Sequence, residues 1–250
     1  MSQLAKVLVI TGASTGIGEA TAKHFAEHNV KVYNFDVKMP QYQHAQIETL
    51  VCNTAKYDDI KTCFDMVMSK EKFLDYLFVN AGVHVLSTMD ETTIEDINRV
   101  VDINVKGYLY TLKCALAIMK KQKDGGVIVL TGSDTSFIGK SAMTVYGCTK
   151  AAIANMAKSI CIDYAKYHIR INCVCPGPVD TPLARHCAEV SAKKSGISFE
   201  EAWKAVPKGQ PIHQFCTPEE IAHMVYFLCS DATPFMTGAS ISIDGGYTAQ

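Results

Sequence analysis

Tyr146 and Lys150, in Tyr146-Gly147-Cys148-Thr149-Lys150, are the side chains of this sequence best placed by type and spacing to move a proton. On a helix, positions i and i+4 project from one face, about 6 Å apart at Cβ. A free tyrosine hydroxyl ionises near pH ~10, too high for a base at neutral pH. A neighbouring ammonium favours the phenolate, which turns the pair into a candidate general base. The same spacing is common on ordinary helices, where a lysine snorkels beside a core tyrosine, so the chemistry depends on what else is brought near.

Three further polar groups stand where they can join the pair. Thr131-Gly132-Ser133 ends an apolar run and places a hydroxyl thirteen residues before Tyr146. Asn80-Ala81-Gly82 ends another such run. Asn104 lies in Asp102-Ile103-Asn104-Val105-Lys106-Gly107 with apolar neighbours on both sides. A buried amide left unpaired costs about 1–3 kcal/mol, so Asn104 needs a partner.

A second kind of chemistry is written near the start of the chain. Thr11-Gly12-Ala13-Ser14-Thr15-Gly16-Ile17-Gly18 follows the first apolar run and leads directly into a helical pattern. Glycines in that place permit a tight turn and let backbone N–H groups approach a pyrophosphate, while the helix N-terminus adds its dipole. Asp36 follows Gly18 by eighteen residues, at the end of the second run. A carboxylate there accepts from the adenosine ribose hydroxyls and repels a 2′-phosphate. The glycine turn contains no Arg or Lys, and Lys38 stands two positions past the Asp, so the pattern points to NAD rather than NADP.

The elements that must position these groups alternate along the chain. Apolar, β-branched runs occur at Lys6–Thr11, Val30–Phe35, Ile47–Cys52, Tyr76–Val79, Gly126–Thr131, Ile169–Val174 and Ser240–Ile243. Helical patterns fall between them at Gly18–His28, Tyr57–Lys70, Ile94–Lys121, Ala151–Tyr167 and Pro218–Ser230, with Tyr146 at the opening of the fourth. Continuous apolar strands separated by helices predict an α/β fold, a doubly wound seven-stranded parallel sheet in three layers and a single domain over 1–250. A polar excursion beginning at Pro178 leaves the carboxyl edge of the sixth strand, where ligands of open α/β sheets bind. That marks 178–215 as a candidate substrate lid.

Composition excludes several classes. Of 250 residues, 48% are hydrophobic and 20% charged, a globular rather than a disordered balance. The 24 basic and 25 acidic side chains leave a formal charge of −1, without the basic excess a general nucleic-acid binder needs. No apolar run approaches the roughly 18–20 residues that span a bilayer, so no membrane partner is expected. The opening MSQLAKVLVITG is too short an apolar stretch for an export signal, which makes the cytoplasm the expected compartment. Ten cysteines without a C-x-x-C pair predict no metal site and no disulfide framework, only small buried side chains.

Taken together and in order, TGASTGIG, Asp36, NAG at 80–82, Asn104, Ser133, Tyr146-x-x-x-Lys150, Pro176-Gly177 and Asp244-Gly245-Gly246 resemble the short-chain dehydrogenase/reductase family, in its single-domain branch of about 250 residues. The likeness covers essentially the whole chain. It implies a Rossmann fold and hydride transfer between NAD(H) and a secondary alcohol or ketone, with Tyr146 as general acid/base. Lys150 would stabilise the phenolate and bind a ribose, Ser133 would hydrogen-bond the substrate oxygen, and Asn104 would hold Lys150 through a water. The cofactor contacts implied are Gly12, Ser14, Thr15, Gly16, Ile17, Gly18, Asp36, Asn53, Asn80, Ala81, Gly82, Tyr146, Lys150, Pro176, Gly177, Val179 and Thr181. Thr181 would hold the nicotinamide carboxamide, and Asp244-Gly245-Gly246 matches a segment that packs at tetramer interfaces in relatives, hence an expected homotetramer. Candidate substrate contacts placed by the same likeness are His84, Thr135, Ser136, Met143 and Leu183, with parts of 184–215.

The chain departs from the family pattern in three places. Cys52-Asn53-Thr54 stands where relatives usually have Asp-Val, leaving the Asn53 carbonyl oxygen to accept from adenine. Pro211 to Pro218 lacks the usual Gly-Arg pair, and Cys148 occupies a slot of small residues and is expected to pack inward. Two other functions fit much of the pattern. One is an NADPH-dependent reductase of the 3-oxoacyl-carrier-protein type, against which Asp36 argues; the other is a catalytically silent NAD-binding regulator. The substrate is open among a hydroxy acid, a sugar, a polyol and a steroid-like alcohol.

Overall fold

The apolar runs pair side by side, those in the middle of the sheet buried on both faces and the two at its edges only partly. They form β1 (Val7–Thr11), β2 (Lys31–Asp36), β3 (Ile47–Val51), β4 (Tyr76–Val79), β5 (Gly126–Thr131), β6 (Ile169–Pro176) and β7 (Ser240–Ile243). The structure is a computed structural model describing residues 5–250; residues 1–4, part of the opening stretch assessed for export, lie outside the described residues. The strands make one sheet in the order β3-β2-β1-β4-β5-β6-β7, with every pairing parallel. Parallel neighbours need crossovers, and these place helices on both faces. β4, β5 and β7 have the expected limits and the other strands differ by one or two residues; β6 runs on to Pro176 because Cys175 and Pro176 lie beside Ser242 and Ile243 of β7.

On one face α1 (Gly16–Glu27) packs against α8 (Pro218–Cys229). Leu8 and Ile10 of β1 meet Phe25 and Val225 there. The other face carries α2 (Tyr57–Lys70), then α3 (Ile94–Val101), α4 (Gly107–Met119) and α5 (Thr144–Tyr164). Val7 and Val9, the alternate residues of β1, join Leu112, Ala115 and Ile153 in that second layer of core.

The helix expected over Ile94–Lys121 is interrupted. Between α3 and α4 a π turn occupies Asp102–Lys106, and the Gly107 N–H reaches back to Asp102 O. Asn104 is buried in that turn, and single π turns inside helices are frequent at functional sites. α5 begins at Thr144, so Tyr146 opens the helix as expected and shares its first two turns with Lys150.

The excursion after β6 folds into α6 (Pro182–Ser195) and α7 (Phe199–Ala205). Thr181 caps α6 by accepting from Ala184 N, and Ser198 forms a reciprocal capping box with Glu201. A bridge between Val179 and Cys216 ties the two ends of the excursion together. Stacking of Trp203 on Phe215, with ring centroids 3.9 Å apart, holds α7 down.

Six of the ten free cysteines are buried. Cys148 is not: it is exposed, contrary to the inward packing expected. Tyr146 and Lys150 share one side of α5, and the residue midway between them lies about 200° around the helix. Among the described residues no His, Cys, Asp and Glu cluster could hold a metal, and no helix is long and apolar enough to cross a membrane.

Candidate active site

The glycine turn sits at the carboxyl edge of β1 and is locked by β4. Gly12 (φ +73°) and Gly16 (φ +61°) adopt left-handed backbone conformations. A Cβ on Gly12 would stand 2.8 Å from Ala81 Cα, and one on Gly18 would stand 2.1 Å from Gly12 O. Asn80 Nδ2 donates to Gly12 O at 3.0 Å, while Asn80 N and Ala81 N both donate to Thr11 Oγ1. Asn80 thus supports the turn from below. Thr15 caps α1 without a side-chain hydrogen bond, so the positive end of the helix opens directly past the turn.

Asp36 closes the far end. Its carboxylate accepts from Ser14 N at 3.0 Å and from Lys38 N at 3.1 Å. A cavity of about 290 Å³ runs from Asp36, Lys38 and Asn53 past Gly12, Thr15, Gly16 and Ile17 to Ala81, Gly82, Thr181 and Leu183. Ser14 and Gly18 do not line it. The Ser14 hydroxyl donates to Lys38 O, and Gly18 supplies the closeness of helix to turn. Asn53 lines the cavity, but its carbonyl oxygen already accepts from Ala55 N at 3.0 Å.

Tyr146 and Lys150 meet at the carboxyl edge of β5. Lys150 Nζ donates to Thr131 O at 2.8 Å and lies 5.6 Å from the Tyr146 ring centre. Lys150 is 4% exposed, and burial lowers its ammonium pKa to about 8. Burial also pushes the Tyr146 hydroxyl well above its ordinary value, with the nearby Ser133 hydroxyl pulling the other way. Ser133 Oγ accepts from Thr135 N at 3.2 Å and donates to Asp134 Oδ1 at 2.9 Å.

Asn104 has its partners. Its Oδ1 accepts from Val83 N and its Nδ2 donates to Val83 O, both at 2.9 Å; Nδ2 also donates to Thr149 Oγ1 at 3.2 Å. The side chain clamps the segment after Gly82 to α5 and makes no hydrogen bond to Lys150. Asn104→Ala leaves the N–H and carbonyl of half-buried Val83 unpaired, and is expected to destabilise the fold by about 1–2 kcal/mol in urea denaturation.

A second cavity, of about 490 Å³, opens beside the first and shares Ile17, Asn80, Gly82, Thr181 and Leu183 with it. Ser133, Tyr146 and Lys150 line it together with Pro176, Gly177 and Val179. The candidate substrate contacts His84, Thr135, Met143 and Leu183 also line it. The His84 ring packs 4.2 Å from that of Tyr146, and burial brings its pKa down to about 4, so it is neutral across the physiological range. Ser136 instead braces the site, donating to Lys150 O and accepting from Ser133 N. Cys187 and Gln210, within the 184–215 stretch marked for substrate contact, line the cavity as well, and so do Asp134, Lys140 and Tyr247, which sequence reasoning did not single out. Asp134 carried a signal, a carboxylate directly after Ser133; the others depend on how the loops return.

A parallel sheet wound outward from β1, with a glycine turn at its first strand and a polar cluster across the same edge, defines a nucleotide-binding α/β protein. The sequence matches the family profile described as Enoyl-(Acyl carrier protein) reductase over residues 12–248. An uncharacterised oxidoreductase from Thermotoga maritima is 35% identical over 251 residues, covering 98% of each chain. A solved short chain dehydrogenase family protein from Francisella tularensis superposes with a TM-score of 0.92 at 39% identity, over 98% of this chain and 100% of that one. The structure of ElxO with NADP bound superposes at 0.88 with 26% identity, over 99% and 100%. The chain belongs to the short-chain dehydrogenase/reductase family. It is an oxidoreductase of a family that binds a nicotinamide cofactor.

Proposed function

We propose that this protein transfers a hydride between NAD(H) and a secondary alcohol or ketone, with Tyr146 as general acid/base. The observation that carries the reading is the meeting of two cavities at Ile17, Gly82 and Thr181, one lined by the glycine turn and Asp36, the other by Tyr146, Lys150 and Ser133. The donor set fits a dinucleotide: open helix-end N–H groups for a pyrophosphate, a carboxylate for a ribose, and close packing where a Cβ would intrude.

The hydride chemistry is supplied by the nicotinamide ring when bound. The chain's own residues handle the proton and the position. Tyr146 Oη takes the proton of the alcohol in oxidation and returns it in reduction. Lys150 offsets the burial that opposes the phenolate, and its ammonium is fixed by Thr131 O. Ser133 steadies the substrate oxygen. His84, Thr135, Met143 and Leu183 shape the substrate end, and 178–215 acts as the lid. Asn104 holds Lys150 through a water in the proton relay.

Asp36 sets the cofactor. Because its carboxylate repels a 2′-phosphate, Asp36→Ala is expected to cut the preference for NADH over NADPH by about tenfold or more, read as the ratio of the two dissociation constants. An unchanged ratio would remove that role. Lys38 at the same cavity end favours the second reading, an NADPH-dependent reductase of the 3-oxoacyl-carrier-protein type. Turnover of NAD⁺ against a panel of hydroxy acids, sugars, polyols and steroid-like alcohols tests the proposal; reduction of a 3-oxoacyl thioester by NADPH alone would replace it.

The same reading places the protein in the cytoplasm as a homotetramer. Ile162 on α5 is 78% exposed and Phe235, beyond α8, is fully exposed, two apolar side chains that a homotetramer would have the opportunity to cover. Asp244 accepts from Gly246 N and Thr248 N, which holds the C-terminal segment in a defined shape. Light scattering on the eluting protein reads the mass of the assembly.

A further inference from the structure

The hydroxyl of Ser133 has one proton, and in this chain that proton is already engaged. Ser133 Oγ donates to Asp134 Oδ1 at 2.9 Å and accepts from Thr135 N, which leaves one lone pair for the cavity. Asp134 is 3% exposed and its other oxygen takes Lys140 Nζ at 2.5 Å. Lys140 reaches in from the loop ahead of α5, and its ammonium sits 4.3 Å from the ring centre of Tyr247. Ser133, Asp134, Lys140 and Tyr247 all line the substrate cavity, so this buried ion pair faces the reaction.

A buried carboxylate is stable only when paired and hydrogen-bonded. Asp134 meets both conditions with one oxygen each, and Ser133 is its hydrogen-bond donor. A serine turned this way accepts from a hydroxyl in the cavity but cannot donate to a carbonyl oxygen until it lets go of Asp134. The strength of Asp134's hold therefore sets which of the two Ser133 does, and Lys140, which shares the carboxylate's charge, sets that strength.

We propose that Asp134, neutralised by Lys140, is a positioning residue that fixes the direction of the Ser133 hydroxyl proton and, through Ser133, couples a buried carboxylate to Tyr146. The proposal rests on the oxidoreductase reading of the site, but the coupling itself is a property of the folded protein. Groups facing Tyr146 are Lys150 on its own helix, His84 after β4, Tyr108 on α4, Cys187 on α6, and Ser133 with Asp134 after β5. Asp134 contributes an upward push on the Tyr146 hydroxyl, and Ser133 opposes it only when its proton turns from Asp134 to Tyr146.

The test is a titration of Tyr146 by carbon-13 NMR of ring-labelled tyrosine, with NAD⁺ bound and the resonance assigned by its loss in Tyr146→Phe. Asp134→Asn keeps an acceptor for Ser133 but removes the negative charge and leaves Lys140 positive. Both changes favour the phenolate, so the midpoint is expected to fall by about half a pH unit or more. In a Ser133→Ala background the same substitution is expected to move it by less than half as much, because the link is gone. No movement, or equal movement in both backgrounds, would overturn the proposal. Because the readout is ionisation rather than turnover, the titration reports on Asp134 even in an enzyme that acts on none of the alcohols tried.

Discussion

Replacing Tyr146 by Phe is expected to lower kcat by about 10³-fold, within the 10²–10⁴ range a positioned acid/base contributes. The substitution removes one oxygen from a side chain whose ring packs against His84, and leaves that packing intact. The glycine turn and Asp36 are left in place, so NADH affinity should fall by about tenfold at most, the worth of the one hydroxyl contact removed. Loss of turnover with retained NADH binding separates acid/base catalysis from general damage. Turnover within about tenfold of the parent would show that Oη is not the proton carrier.

Lys150→Met should be nearly as severe, for a different reason. Burial opposes the phenolate of Tyr146, and Lys150 is the nearest fixed cation, 5.6 Å from the ring. Methionine fills the same space but cannot donate to Thr131 O. At neutral pH kcat is expected to fall by about 10²–10³-fold. The sign of the pH effect follows from the charge. Without the ammonium, Tyr146 ionises at higher pH, so the acid limb of kcat/KM for alcohol oxidation should move upward and the residual activity should climb into more alkaline buffer. In the parent, Lys150 itself loses its proton above about 8, so the advantage over Lys150→Met should narrow there. A profile whose limb stays in place would assign Lys150 to cofactor binding alone.

The sheet was legible because runs such as Val7–Ile10 and Tyr76–Val79 are apolar on both faces, a pattern parallel sheets require. Tyr146, Lys150, Ser133 and the glycine turn were legible because local spacing and position after a strand carry their geometry. The π turn at Asp102–Lys106 was not, since it exists to press Asn104 onto Val83, a contact between segments distant in sequence. Cys148 was misjudged because residue type was weighed above helical phase. Asn53 lines the cofactor cavity as read, but the bond from Ala55 N that takes one lone pair of its oxygen is set by a local turn that residue type did not announce. The pairing of Asp134 with Lys140 depends on a six-residue return of the chain that no periodicity reveals.

The most direct test of the central claim is to titrate NADH and NADPH in parallel into one preparation and follow the quenching of protein fluorescence. Asp36, held by Ser14 and Lys38 amides at the adenosine end of the cleft, predicts NADH binding at least about tenfold tighter. NADPH binding as tightly as NADH, or more so, would contradict it, assign Lys38 the deciding role and point to a biosynthetic reductase.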